Sequence, residues 1–183
     1  FSTSDPFVFA RPGIILKGKG LDADDTLGTF TILEHPEVEA TGESSGLLSL
    51  KDSKQIEQRL LLTCQGPMSV QRIVDAKNQA IGAWVQANQG TVIHIDSKET
   101  KAKISCKTAK ILLHKDPKTG EFSLERAELE GVPFLTVNQG TNRIQAEKGV
   151  LEWTTNRSHF TGNVIGTFRP KEGAKPVHFE AQE

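Results

Sequence analysis

Period-two alternation of apolar and polar residues, broken at short intervals by turn chemistry, constrains this chain more than any other feature. In Val92-Ile93-His94-Ile95-Asp96, Ile93 and Ile95 share one face. In Lys103-Ile104-Ser105-Cys106-Lys107, Ile104 and Cys106 share one, and over residues 160–168 so do Phe160, Val164 and Phe168. Successive side chains of an extended chain point to opposite faces, so such runs describe half-buried strands. Residues 114–120, with Asp116-Pro117 and Gly120, read as a strong turn; residues 75–78, 96–100 and 155–158 are polar breaks of the same kind. Helical spacing is confined to residues 54–61, where apolar residues fall at 56, 60 and 61, and that segment reads equally well as a strand.

The strands repeat. Asn-Gln-Gly-Thr occurs at 88–91 and again at 138–141, and in both places it is expected to form a tight hairpin turn, where Asn and Gly tolerate positive φ. A wider unit of about 40 residues is anchored on Leu21-Asp22-Ala23-Asp24, Leu62-Thr63-Cys64-Gln65, Ile104-Ser105-Cys106-Lys107 and Ile144-Gln145-Ala146-Glu147. Its returning runs end at Pro36-Glu37-Val38, Gly82-Ala83-Trp84-Val85, Gly131-Val132 and Gly162-Asn163-Val164. Small residues at fixed places let neighbouring strands or sheets approach closely. A propeller blade needs four strands and its own signature; these units hold two to three. The expected fold is therefore all-β, a β-jelly-roll or β-roll of repeated antiparallel hairpins forming two facing sheets.

Bulk properties exclude several function classes. The 183 residues fit one domain able to bury its own core. A net charge of -1 leaves no global attraction for nucleic acid or an anionic membrane. Apolar runs such as Leu60-Leu61-Leu62 and Ile111-Leu112-Leu113 are far too short to span a bilayer as a helix. No signal peptide is visible, and a start at Phe1 rather than Met is what a processed or trimmed chain shows. Cys64 and Cys106 make neither a zinc site nor a Cys-x-x-Cys pair. Two readings stand, a pair of small apolar core residues or one disulfide, and the first is preferred because Cys is among the most buried residue types.

No catalytic or metal-binding constellation emerges. His35, His94, His114, His159 and His178 lack ligand spacing, and His94 alternates away from the Ile93–Ile95 face. Asp22, Asp24 and Asp25 fail as a calcium loop, because Leu27 and Leu33 stand where Gly and Glu are needed. Gly18-Lys19-Gly20 lacks the spacing of a phosphate loop. Glu34, Glu37, Glu39 and Glu43 read as a solvated acidic face; a carbohydrate-acting enzyme using such a carboxylate pair is the weakest of the functional readings. The expectation is a non-enzymatic protein with no cofactor and no metal.

The segment from Asn142 through Ile144-Gln145-Ala146 to Trp153, followed by Phe160-Thr161-Gly162-Asn163-Val164, resembles the repeat of the OstA/LptA-like lipopolysaccharide-transport family. Residues 64–133 are similar to the same pattern, and Gly18 to Val38 resembles the opening of its LptC-type members. The resemblance covers residues 18–168, taken as the OstA-like β-jelly-roll domain, with 1–17 as an N-terminal flank and 169–183 as a C-terminal tail. It departs from the pattern at Pro36-Glu37-Val38 and Gly131-Val132, which lack the Gly-Asn-Val form. It implies a periplasmic protein, free or tethered to the inner membrane through a preceding segment. Such a protein passes lipopolysaccharide along a groove between its sheets and pairs end to end with other Lpt-type subunits.

Under that resemblance the alternating apolar positions become the lipid-lining set: Ile93, Ile95, Ile104, Ile111, Leu113, Phe134, Ile144, Phe160, Val164 and Phe168. Read from the pattern alone, the same residues are the dry core of a β-sandwich. The alternative function is then a β-rich scaffold or adhesion module without a lipid ligand.

Overall fold

The computed structural model describes residues 1–24, 26, 28–44, 56–97, 101–155, 157–169 and 175–181, and among them it contains strands and turns but no helix. The strands are β1 (Ser2–Arg11), β2 (Ile14–Asp24), β3 (Thr29–Ser44), β4 (Ile56–Thr63), β5 (Met68–Val74), β6 (Ala80–Ser97), β7 (Lys101–Lys115), β8 (Phe122–Gln139), β9 (Asn142–Glu152), β10 (Arg157–Thr161), β11 (Val164–Phe168) and β12 (Val177–Ala181). They form one antiparallel sheet in the order β1-β2-β3-β4-β6-β7-β8-β9-β11-β12. Off that path, β5 lies between β3 and β6, and β10 lies against β9. In effect β4 and β5 are two halves of one strand lane, interrupted at residues 64–67, and β10 and β11 are two halves of another. The fold is thus an all-β meander, compatible with the expected β-roll.

Almost every lane bends midway. Pairing skips a step between Lys17 and Lys19 in β2, Asn88 and Thr91 in β6, Ser105 and Thr108 in β7, and Glu130 and Leu135 in β8. The bends line up from lane to lane and divide the sheet into two layers. Layer A contains β5, β10, residues 80–88 of β6 and 122–130 of β8; layer B contains β4, β11, residues 91–97 of β6 and 135–139 of β8. Each layer turns its apolar face to the other, and one cluster of buried residues joins Val85, Ile111 and Leu129 of layer A to Leu60, Ile93 and Ile104 of layer B. Strands β3 and β8 touch across this interior although they are not neighbours in the sheet. Bulges re-aim a strand and increase its local twist, which is how one sheet becomes two facing layers.

Local chemistry explains where the bends fall. Gly162 and Asn163 have φ of 73° and 46°, and Gln89 and Gly90 have φ of 65° and 63°. These are consecutive left-handed residues, a conformation Gly and Asn adopt at least cost. Asn163 Nδ2 also donates to Glu147 Oε1, and Glu147 N donates to Gly162 O across the bend at 3.0 Å. The Gly-Asn-Val motif is therefore a bend motif. The two Asn-Gln-Gly-Thr copies part company here. Residues 138–141 enter a two-residue hairpin, with Gln139 opposite Asn142 and Gly140 at φ 56°. Residues 88–91 are the mid-strand bend of β6 and not a hairpin turn, so the expectation for the first copy is corrected.

Other sequence expectations sort in the same way. The turn at 116–121 forms, with Asp116 Oδ1 accepting the backbone N–H of Lys118 and Thr119 at 2.6 and 3.1 Å; these bonds hold its carboxyl below the usual range. Asp75 Oδ1 accepts from Lys77 N and Gln79 N, both at 2.8 Å, in the turn between β5 and β6. Residues 98–100 and 156, parts of two further expected breaks, lie outside the described residues, as do 54 and 55. Residues 56–61 are strand and not helix. They sit between β3 and β6, and a helix there would leave both neighbours without ladder partners. The proposed boundary at residue 18 falls inside β2, and residues 2–17 belong to the first hairpin of the same sheet. Within the expected tail, β12 pairs with β11 over residues 177–181.

Both cysteines are free thiols. Thr91 lies opposite Cys106, and Val92 pairs with Thr63, which puts Cys64 and Cys106 in lanes on either side of β6. Two lanes separate Cα atoms by ~9–10 Å, whereas a disulfide needs them within about 7 Å. Burial pushes the Cys106 thiol up to about 12, so it remains protonated at neutral pH.

Candidate functional site

The interior is sealed in the middle of the roll and open at its N-terminal end. Here layer A, from β2 to β6, faces the start of layer B, formed by β1 and the first residues of β2. Between them lies a groove of about 750 Å³. Its floor is apolar: Ile14 and Leu16 come from layer B, and Phe30, Val70 and Ala83 from layer A. The β7–β8 turn closes one side. Phe122 N donates to Pro12 O at 3.1 Å, tying the tip of the first hairpin to the start of β8. Gly13 makes that approach possible, because a Cβ there would stand 2.2 Å from Phe122 O.

Charge is confined to the mouth. Arg11 ends β1, Asp24 ends β2, Arg72 lies near the end of β5 and Lys115 ends β7; all four line the groove. The Arg11 guanidinium sits 5.3 Å from the centre of the Phe9 ring, another lining residue. An apolar floor with polar groups at the rim is the general form of a ligand-binding cleft.

The expected lipid-lining residues are not in this groove. Ile93, Ile95, Ile104, Ile111 and Leu113 are brought together, but as close-packed core. Ile144, Phe160 and Val164 pack half-buried against that core, and Phe168 is half-buried at the end of β11. Phe134 is 41% exposed and stands outside the interior. It belongs to a bulge in which residues 131–134 of β8 oppose Glu147 alone, since Glu130 pairs with Lys148 and Leu135 with Ala146. The surplus residues loop outward and carry Phe134 with them, which corrects its assignment.

Phe9, Arg11, Pro12, Ile14 and Leu16 of the groove fall within residues 1–17, which the sequence reading set aside as a flank. A signal was present: Pro12-Gly13 is turn chemistry between two apolar runs, Phe7-Val8-Phe9 and Ile14-Ile15-Leu16.

The acidic stretch of β3 is engaged in cross-strand pairing. Glu34 meets Lys19 at 3.0 Å, Glu37 meets Lys17 at 2.6 Å and Glu39 meets Arg59 at 2.7 Å. The hydrogen bond from Arg59 holds the Glu39 carboxyl below its usual range. No grouping of His, Cys, Asp and Glu suited to a metal occurs among the described residues. The site defines a class, an all-β roll with an apolar, solvent-open groove between its layers. No protein-family model, no curated protein and no solved structure matches this chain.

Proposed function

We propose that the protein is a non-catalytic carrier of an amphiphilic lipid, with acyl chains lying on the apolar floor of the groove and the headgroup held at its mouth. One observation carries this reading: the two layers part at the N-terminal end, leaving about 750 Å³ above Ile14, Leu16, Phe30 and Val70. Each methylene moved from water onto such a floor gains about 0.8 kcal/mol before ordering costs are deducted. Within this class, the resemblance noted above points to lipopolysaccharide passed along a periplasmic bridge.

The test is displacement of a neutral fluorescent amphiphile, N-phenyl-1-naphthylamine, from the full chain. Saturable binding is expected, and Phe9→Glu, at a half-exposed lining position, should abolish it without shifting the urea midpoint. A folded protein that binds nothing removes the carrier reading and leaves a scaffold or adhesion module. The sealed middle of the interior, where Ile93 and Ile104 are fully buried, favours that second reading.

Bridge assembly has its own support. Strands β1 and β12 are the two ends of the sheet order, and among the described residues each pairs on one side only. Open edges are templates for strand addition. Sedimentation velocity should show mass rising with concentration, and a Pro at Val8 or Phe179 should suppress the rise. A monomer at every concentration would remove self-stacking.

A further inference from the structure

We infer that the ligand of this groove is an anionic amphiphile carrying no more than two acyl chains. The inference rests on the carrier reading but departs from the lipopolysaccharide that the resemblance implies, and it follows from two properties of the groove, its capacity and the charge of its mouth.

Capacity sets the number of chains. A protein cavity of about 150 Å³ takes a six-carbon aromatic ring, so one carbon needs ~25 Å³. By that scale the groove, at about 750 Å³, holds on the order of thirty carbons. That is two chains of common length at most. The space does not continue inward: beyond Leu16 and Val70 the layers close on Ile32, Met68 and Val85, each fully or almost fully buried. A lipid with four or six chains would leave half or more of its apolar surface in water.

Charge sets the headgroup. Some cations on the outer faces of the sheet are paired, Lys17 by Glu37, Arg59 by Glu39 and Arg126 by Glu128 and Glu152, while others, such as Lys103, Lys107 and Arg143, join no ion pair among the described residues. The mouth differs in that its cations line a single apolar cleft. Arg11, Arg72 and Lys115 line the groove, and none of them joins an ion pair among the described residues. Among the described residues the lining holds one carboxylate, Asp24, which accepts the backbone N–H of Thr26 at 2.9 Å. Two guanidiniums and an ammonium around an apolar cleft form a receptor for carboxylate or phosphate, because Arg binds either in a bidentate manner. A neutral or zwitterionic head would gain far less there.

The experiment displaces N-phenyl-1-naphthylamine from the full chain with lipids that differ in one property at a time. Palmitate and palmitoyl-lysophosphatidylglycerol test the carboxylate and phosphate sources of negative charge; monopalmitin and palmitoyl-lysophosphatidylcholine are their uncharged and zwitterionic counterparts. The anionic members should displace the probe at concentrations at least about ten-fold lower. The triple variant Arg11→Gln, Arg72→Gln, Lys115→Gln should lose that advantage while still binding monopalmitin, which also shows that it is folded. Dioleoylphosphatidylglycerol should compete, whereas cardiolipin and hexa-acylated lipid A should compete poorly. Equal potency of charged and uncharged members overturns the anionic inference and leaves the carrier reading intact. Lipid A as potent as phosphatidylglycerol overturns the limit on chains. No binding of the probe or of any lipid overturns the carrier reading itself.

Discussion

Gly131→Ala is expected to destabilise the protein by about 3 kcal/mol or more, an effect at the upper end of what overpacking produces. Gly131 opens the bulge of β8, where the chain folds back so tightly that a Cβ would stand 1.9 Å from Leu135 N and 2.1 Å from the carbonyl carbon of Phe134. Both neighbours are backbone, so no rotamer change relieves the contact. The bulge would have to open, and Leu135, which is fully buried directly after it, would be drawn out of the core. Gly140→Ala is the control. Its φ of 56° makes a side chain uncomfortable, but nothing lies within 4 Å of the added carbon, and the expected cost is only about 1 kcal/mol. Urea denaturation of both variants measures the difference. If Gly131→Ala were as benign as the control, the tight bulge and the bend it creates would both be wrong.

That bend is where sequence and structure agree in an unexpected way. Six of the eight repeat anchors coincide with bends. Cys64, Cys106 and Ala146 sit at or beside the bends of lanes that run from layer B to layer A. Pro36, Gly131 and Gly162 mark bends in lanes that run back. The repeat was legible because a bend requires small side chains or left-handed backbone, and both demands restrict residue type. The two misplaced anchors fail for the same reason. In β2 the bend falls at residues 18–20, with Gly20 at φ 73°, and not at Ala23. In β6 it falls at Gln89-Gly90, and not at Gly82. In both lanes a Gly close to the true bend was present but assigned another role. Gly-Lys-Gly was weighed as a phosphate loop and Asn-Gln-Gly-Thr as a hairpin.

The groove was less legible than the core, and for a physical reason. Leu16 and Ile104 are both almost fully buried, and both lie in strands where buried positions recur at every second residue. Nothing in either local pattern records how far away the opposite layer lies. That distance is set by pairing between remote segments, here by Phe122 against Pro12 and by the start of layer B arching over layer A. Alternation therefore identified the apolar face correctly and could not separate its packed part from its open part. Charge offered a better clue. Arg11, Arg72 and Lys115 are far apart in sequence, but each lies at or near the tip of a strand, and tips from both layers meet at this mouth.

Ile104→Ala should cost about 3–4 kcal/mol, within the range for truncating a fully buried aliphatic side chain. Ile104 lies on β7 directly opposite Ile93 of β6 on one side and Val137 of β8 on the other, and all three are at 0% exposure. Removing its outer carbons leaves a hole bounded by strands that are hydrogen-bonded on both flanks. The neighbours cannot close over it without breaking ladder bonds, which places the cost above that of a collapsible site. The companion variant is Phe134→Ala. Both residues were assigned to one apolar face from alternation, but Phe134 stands on the outward bulge at 41% exposure, and its truncation should change stability by no more than about 0.5 kcal/mol. The pair discriminates sharply between the observed register and the uninterrupted one. Had β8 continued through residues 131–134 without the bulge, the alternation would shift and an aromatic truncation would rival or exceed the loss at Ile104. Equal losses at the two positions, read from urea midpoints at constant slope, would require β8 to be re-registered against β9 and the two-layer architecture to be redrawn around it.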